Sequence, residues 1–129
     1  MQTLQKTERL RSRKTIERLF SHGQTLNNHP IRLFWLETQF NSPFPAKVLI
    51  SVSKKGFKRA VDRNYVKRRI REAYRKNKHI LYNYLDENQV SCAFGIIFTG
   101  KEIINYKDIE QKIIDSLERF IKEHEKNTR

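Results

Sequence analysis

The amino-acid sequence predicts an α+β fold, a sheet with helices packed against it. Three observations predict it. Apolar residues recur at helical spacing in well-separated stretches. Runs rich in β-branched and aromatic residues lie between them. With 129 residues, few Gly and Pro, and no repeat or linker, the chain suits one domain spanning 1–129.

The first helix is expected over residues 12–22. Ser12 is a suitable N-cap, Ile16, Leu19 and Phe20 share one face, and Gly23 suits the stop. In residues 31–36 both faces are largely apolar, so periodicity alone assigns nothing, but the β-branched and aromatic content favours a strand. Residues 46–52 alternate Val48, Ile50 and Val52 against Lys47, Leu49 and Ser51. The turn-like stretch 41–45 between them suggests an antiparallel pair.

A long helix follows, starting between Lys58 and Asp62. Its buried stripe is Val66, Ile70, Ala73 and Tyr74. At ~3.6 residues per turn, Lys67, Arg68, Arg71 and Arg75 lie opposite, with Arg63 near the border. Residues 80–85 read as a second, short helix. Residues 90–99 read as a buried strand. A last helix over 106–125 places Ile109, Ile113, Leu117, Phe120 and Ile121 on one face, with mixed charge on the other.

Charge narrows the function. The net charge is +13, of which residues 54–78 alone supply +10, whereas residues 79–129 are at −2. A field so concentrated attracts polyanions, so nucleic acid is the first partner to consider, and an anionic membrane surface the second. The bland reading is a solvated basic face. A helix presenting Lys and Arg at successive turns matches a phosphate backbone, which gives affinity with little sequence information. Asn64, between Arg63 and Tyr65, reads equally well as a local cap or as an RNA contact.

Other classes are excluded or left without support. No apolar run approaches the roughly 18 residues of a membrane helix. The start, Met1-Gln2-Thr3-Leu4-Gln5, has no apolar stretch, so no signal peptide is expected. The single cysteine, Cys92, rules out an internal disulfide and fits a reducing cytoplasm. Four scattered histidines show no metal-ligand spacing, and Asp86-Glu87 and Asp108/Glu110 read as solvated acids. Strands, not a helix-turn-helix partner, precede the basic helix, so duplex DNA is not expected.

The run Ser51-Val52-Ser53-Lys54-Lys55, then Phe57-Lys58-Arg59-Ala60-Val61, then 63–75 resembles the ribonuclease P protein family. There a "VSKK" strand end leads into the "RNR" helix, R-N-x-φ-K-R-x-φ-R-E with φ apolar. Arg63, Asn64, Val66, Lys67, Arg68, Ile70, Arg71 and Glu72 fit it. Tyr65 stands where Arg is frequent, and its ring can stack on a base. Lys58-Arg59 replace a usual Gly-Asn pair. Arg9-Leu10 and Phe20-Ser21-His22-Gly23 are similar to the family's first helix and its stop, with Ile16 where Phe is common.

The resemblance implies a ribosomal-protein-like α/β sandwich with an about four-stranded mixed sheet and a left-handed βαβ crossover. It implies a subunit of a hydrolytic endonuclease that removes the 5′ leader of precursor tRNA. Catalytic groups and Mg²⁺ would belong to the RNA subunit, so none is assigned to this chain. Lys54, Lys55, Arg63, Asn64, Lys67, Arg68, Arg71 and Arg75 would bind that RNA. Ile16, Phe20, Phe34 and Lys101 would line a cleft for the leader, although from chemistry alone Phe20 and Phe34 read as core. The alternative is a structural RNA-binding protein, ribosomal or chaperone-like.

Overall fold

The computed structural model describes residues 4–127. Met1, Gln2 and Thr3, where the expectation about a signal peptide begins, lie outside them. A short 3-10 turn at Lys6–Glu8 precedes helix α1, Arg13–His22. Strands β1, Gln24–Asn28, and β2, Ile31–Glu37, form a hairpin, and β3, Ala46–Val52, follows. Helix α2, Ala60–Glu87, leads to β4, Cys92–Phe98, and α3, Tyr106–Asn127, ends the order.

The four strands lie in the order β1-β2-β4-β3. Strand β4 pairs antiparallel with β2 and parallel with β3, so the sheet is mixed. The predicted neighbour pairing of residues 31–36 with 46–52 is therefore wrong. Residues 92–98 are apolar or Gly throughout, and such a strand belongs in the middle of a sheet covered on both sides. It inserts between β2 and β3 and takes hydrogen bonds from each. Strand β1 was not foreseen, because Leu26 is its one buried residue and the rest is polar. It pairs with β2 through the two-residue turn His29-Pro30, which contains a cis peptide bond.

Side-chain alternation divides the sheet into two faces. Ile31, Leu33 and Trp35 of β2, Phe94, Ile96 and Phe98 of β4, and Val48 and Val52 of β3 face α2 and α3 and form the main core. On the opposite face Leu19 of α1, Leu10 and Ala93 are buried, with Ile16, Phe34, Leu36, Phe40 and Leu49 packed around them. Helix α1 begins as expected, with Ser12 Oγ accepting from the Thr15 backbone N–H at 3.3 Å. Gly23 ends it for a steric reason. A Cβ there would lie 2.3 Å from the Leu19 carbonyl oxygen and 2.8 Å from that of Trp35.

Helix α2 runs unbroken, where the sequence reading separates residues 80–85 as a second helix. Its stripe continues through Val66, Ile70, Ala73, Tyr74, Lys78, Leu81 and Leu85, all buried. Lys78 hides the continuity, because a cation occupies a core position. Its ammonium donates to Glu8 Oε2 at 2.7 Å, and Tyr82 Oη donates to the same oxygen at 2.5 Å. Glu8 Oε1 also accepts the Gln5 backbone N–H at 2.8 Å. Glu8 is 0% exposed and Lys78 9%. The ion pair thus fastens the N-terminal turn to the middle of α2. The segment continues onto the sheet edge, where Leu10 N–H donates to the Val48 carbonyl at 2.9 Å.

Removing one partner of a buried ion pair strands the other charge, at a cost of about 3–5 kcal/mol. Glu8→Gln is expected to lose stability of that order at pH 7 in urea unfolding. Burial alone would raise the Glu8 pKa, but the Gln5, Lys78 and Tyr82 bonds outweigh it and hold the carboxyl below its ordinary value. Its contribution is therefore full above the unfolded carboxylate pKa and is lost as pH falls through the lowered folded value. The gap between wild type and Glu8→Gln is expected to narrow across that acid range.

Candidate nucleic-acid interface

Helix α2 presents its basic side to solvent because its other side is fixed in the core. Asn64, Lys67, Arg68 and Arg71 line one open cavity of about 500 Å³, together with Val61. Lys67 and Arg71 also line a neighbouring groove with Arg9, Arg11 and the edge of β3. Among the described residues no carboxylate lies within ion-pair distance of Lys67, Arg68 or Arg71. These cations are therefore not neutralised by acids elsewhere among the described residues. Asn64 lies in the second turn of a helix starting at Ala60 and makes no capping bond. Its exposed amide faces the cavity instead.

Other predicted contacts carry structural duties. Arg63 Nη1 donates to the carbonyls of Phe57 at 2.8 Å and Lys58 at 2.9 Å, bracing the turn before α2. Arg75 Nε donates to Glu72 Oε1 at 2.7 Å. Lys78, at the end of the basic stretch, turns into the core. Lys54 and Lys55 are exposed in the turn after β3. That turn is pinned by Ser53 N–H donating to the Phe98 carbonyl at 3.0 Å. It is also pinned by close approach of Gly56 to Gly100, where a Cβ on Gly56 would lie 2.2 Å from the Gly100 oxygen.

Of the four residues expected to line a second site, three lie on the α1 face of the sheet. The Phe20 and Phe34 rings meet edge to face at 4.8 Å between centroids. Phe20 lies over Gly95, where any Cβ would meet its Cζ at 3.3 Å. Phe20 is 42% exposed, more than a core phenylalanine allows, while Phe34 is half-buried. Ile16 packs one turn before Phe20 on α1. Lys101 does not join them. It follows β4, lining a separate cavity with His29, Pro30 and Ile104. Between the phenylalanines and that end, the sheet face carries Arg32, Ile97 and Ser51, which share a side with Phe34 and Gly95. None of these three was picked from sequence. Only the β2-β4-β3 register, a long-range property, puts them beside Phe20.

Among the described residues no group of three His, Cys, Asp or Glu side chains could hold a metal ion. No described helix is long and apolar enough to cross a membrane. Cys92 is buried, and burial pushes its thiol pKa up to about 12, which makes it unreactive.

Together these features describe a basic α+β nucleic-acid-binding protein, with one cationic helix face and one partly exposed aromatic pair on the opposite face of the sheet. The Ribonuclease P family model matches residues 4–122. The ribonuclease P protein component of Porphyromonas gingivalis is 36% identical over 117 residues, covering 91% of this chain and 85% of that one. The corresponding protein of Chlorobium phaeobacteroides is 39% identical over 121 residues, covering 86% and 83%. The solved ribonuclease P protein of Thermotoga maritima superimposes with a TM-score of 0.68 at 25% identity, covering 87% of this chain and 96% of that one. That of Staphylococcus aureus shares the fold with a TM-score of 0.68 at 20% identity, covering 86% and 93%. The chain belongs to the ribonuclease P family, and with it to the RNA-binding, tRNA-processing ribonucleoproteins.

Arg63 and Arg68 are expected to separate structural from binding cations. Hydrogen bonds from a charged donor contribute about 1.5–3 kcal/mol each at most. Arg63→Ala should lose roughly 2 kcal/mol or more in denaturant unfolding, whereas exposed Arg68→Ala should leave stability within about 0.5 kcal/mol.

Proposed function

We propose that this chain is the RNA-binding subunit of a ribonuclease P that removes the 5′ leader of precursor tRNA. The observation that carries the proposal is the set of unneutralised cations on α2 in a member of this family. Lys67, Arg68, Arg71 and Asn64, flanked by Lys54 and Lys55, bind the phosphates of the RNA subunit. Arg63 acts mainly by holding the start of α2, and Arg75 works beside its Glu72 partner.

The sheet face beside Phe20 serves as the groove that holds the single-stranded leader. Phe20, braced by Phe34 and Ile16, offers an exposed ring to an unpaired base. Arg32 lies along the same face, and Lys101 supplies positive charge beyond its far end. Both surfaces act by positioning, so the endonucleolytic chemistry belongs to the RNA. The enzyme's Mg²⁺ would be held by the RNA subunit as well. The complex would act on precursor tRNA in the cytoplasm.

The deciding experiment is cleavage of a leader-bearing tRNA precursor by a bacterial ribonuclease P RNA at low Mg²⁺. Cleavage at the mature 5′ end only when the protein is added is the result expected. No stimulation by folded protein would favour the other reading, a structural RNA-binding protein. Within this assay, Phe20→Ala should weaken binding of leader-bearing precursor by about 1–3 kcal/mol and leave mature tRNA binding unchanged. Reversing Lys67, Arg68 and Arg71 to Glu should weaken binding of the RNA subunit. It should also flatten the salt dependence by roughly 0.7–0.9 in log-log slope per lost phosphate contact.

A further inference from the structure

Tyr65 belongs to neither surface described above. It is 38% exposed, high for an aromatic residue, and Arg69 lies across its ring with the guanidinium carbon 4.4 Å from the centroid. Arg69 also donates to the Tyr65 hydroxyl. Among the described residues no carboxylate pairs with Arg69, and its Nε–H finds no acceptor.

The pair borders an open cavity of about 370 Å³, whose other walls are Arg68, Glu72 and Tyr106. Tyr106, the first residue of α3, forms the far side, and Lys76 Nζ lies 5.5 Å from its ring centroid. The cleft thus contains two aromatic rings and two guanidiniums, while the single carboxylate, Glu72, is engaged by Arg75. Arg68 lines this cleft and also the cavity of Asn64, Lys67 and Arg71. The two spaces therefore share a wall made of one arginine. A polynucleotide with phosphates on Lys67 and Arg71 would need to advance only past Arg68 to bring a base to Tyr65. A ring braced on one side by a guanidinium offers a fixed π surface on the other, and base stacking on such a surface tolerates any sequence.

We propose that the cleft between Tyr65 and Tyr106 binds one unpaired nucleotide of the RNA subunit, its base stacked on Tyr65 and its phosphate on Arg68. The proposal rests on the RNA-subunit reading above and adds a stacking contact to a face otherwise made of charge. A purely structural Tyr65–Arg69 pair, one turn apart on the helix, would support α2 and touch no RNA.

The test compares wild type, Tyr65→Leu and Tyr65→Phe for affinity to a bacterial ribonuclease P RNA across a range of salt. Thermal melts check the fold, and low-Mg²⁺ cleavage by wild type serves as the control. Stacking predicts a loss of roughly 5- to 150-fold for Tyr65→Leu, with an unchanged log-log salt slope because no phosphate contact is removed. Tyr65→Phe should bind within about twofold of wild type, because it keeps the ring. Tyr65→Leu binding as wild type does, even with a lowered melting temperature, would overturn the site and leave the subunit reading intact. A loss accompanied by a smaller slope, or shared equally by Tyr65→Phe, would also overturn it by assigning the effect to charge or to the hydroxyl. Wild type that neither binds nor stimulates would overturn the subunit reading, and this site with it.

Discussion

Everything in this protein depends on how α2 disposes of its cations. One side of the helix is buried against the sheet and α3, where a lone charge is prohibitively expensive. The other side must keep its charges unneutralised to hold a polyanion. The chain meets both demands residue by residue. Lys78 is the cation that enters the core, and Glu8 comes from the far end of the sequence to meet it. Arg63 is absorbed by backbone carbonyls, and Arg75 is paired with Glu72. Arg69 lies on the Tyr65 ring, while Lys67, Arg68 and Arg71 find no carboxylate among the described residues, and so stay available to phosphate.

That partition also explains the geometry around the helix. The Glu8 bond draws the N-terminal segment across the edge of β3, bringing Arg9 and Arg11 beside Lys67 and Arg71. The same segment leads into α1, which covers only part of the opposite sheet face. Leu19 closes the small core there, while Phe20 is left over Gly95 with its ring half in water. The incomplete cover leaves this face of the sheet open for the proposed groove. A longer or larger α1 would cover Phe34, Ile97 and Arg32 as well. The phosphate face and the groove therefore rest on one sheet, reached from opposite sides.

Much of this was legible in the sequence, for identifiable reasons. The helical stripe at Val66, Ile70, Ala73 and Tyr74 is strongly periodic and places the basic face without ambiguity. Ser12 and Gly23 bracket α1 through local chemistry. What escaped was long-range. The pairing of β4 between β2 and β3 has no local signature, and β1 carries too little apolar residue to announce itself. Nothing local shows that Lys78 is a core position, because its partner lies 70 positions away. Among the site residues, Phe20 and Phe34 lie edge to face, whereas Lys101 lies beyond the end of β4. Arg32, Ile97 and Ser51 became visible only through the strand register.

The central claim is that two separate surfaces hold two separate RNA segments, and site-directed cross-linking tests it most directly. Cys92 is fully buried with a raised thiol pKa. A cysteine introduced elsewhere can therefore carry a photoreactive probe alone. Val61→Cys places the probe in the α2 cavity, Ile97→Cys in the groove, and Glu118→Cys on the outer face of α3 as a control. In the holoenzyme with precursor tRNA, the probe at 61 should attach to the RNA subunit and the probe at 97 to the 5′ leader, with little product from 118. Attachment of both probes to the same RNA segment, or equal yield from 118, would contradict the division of labour argued from the fold.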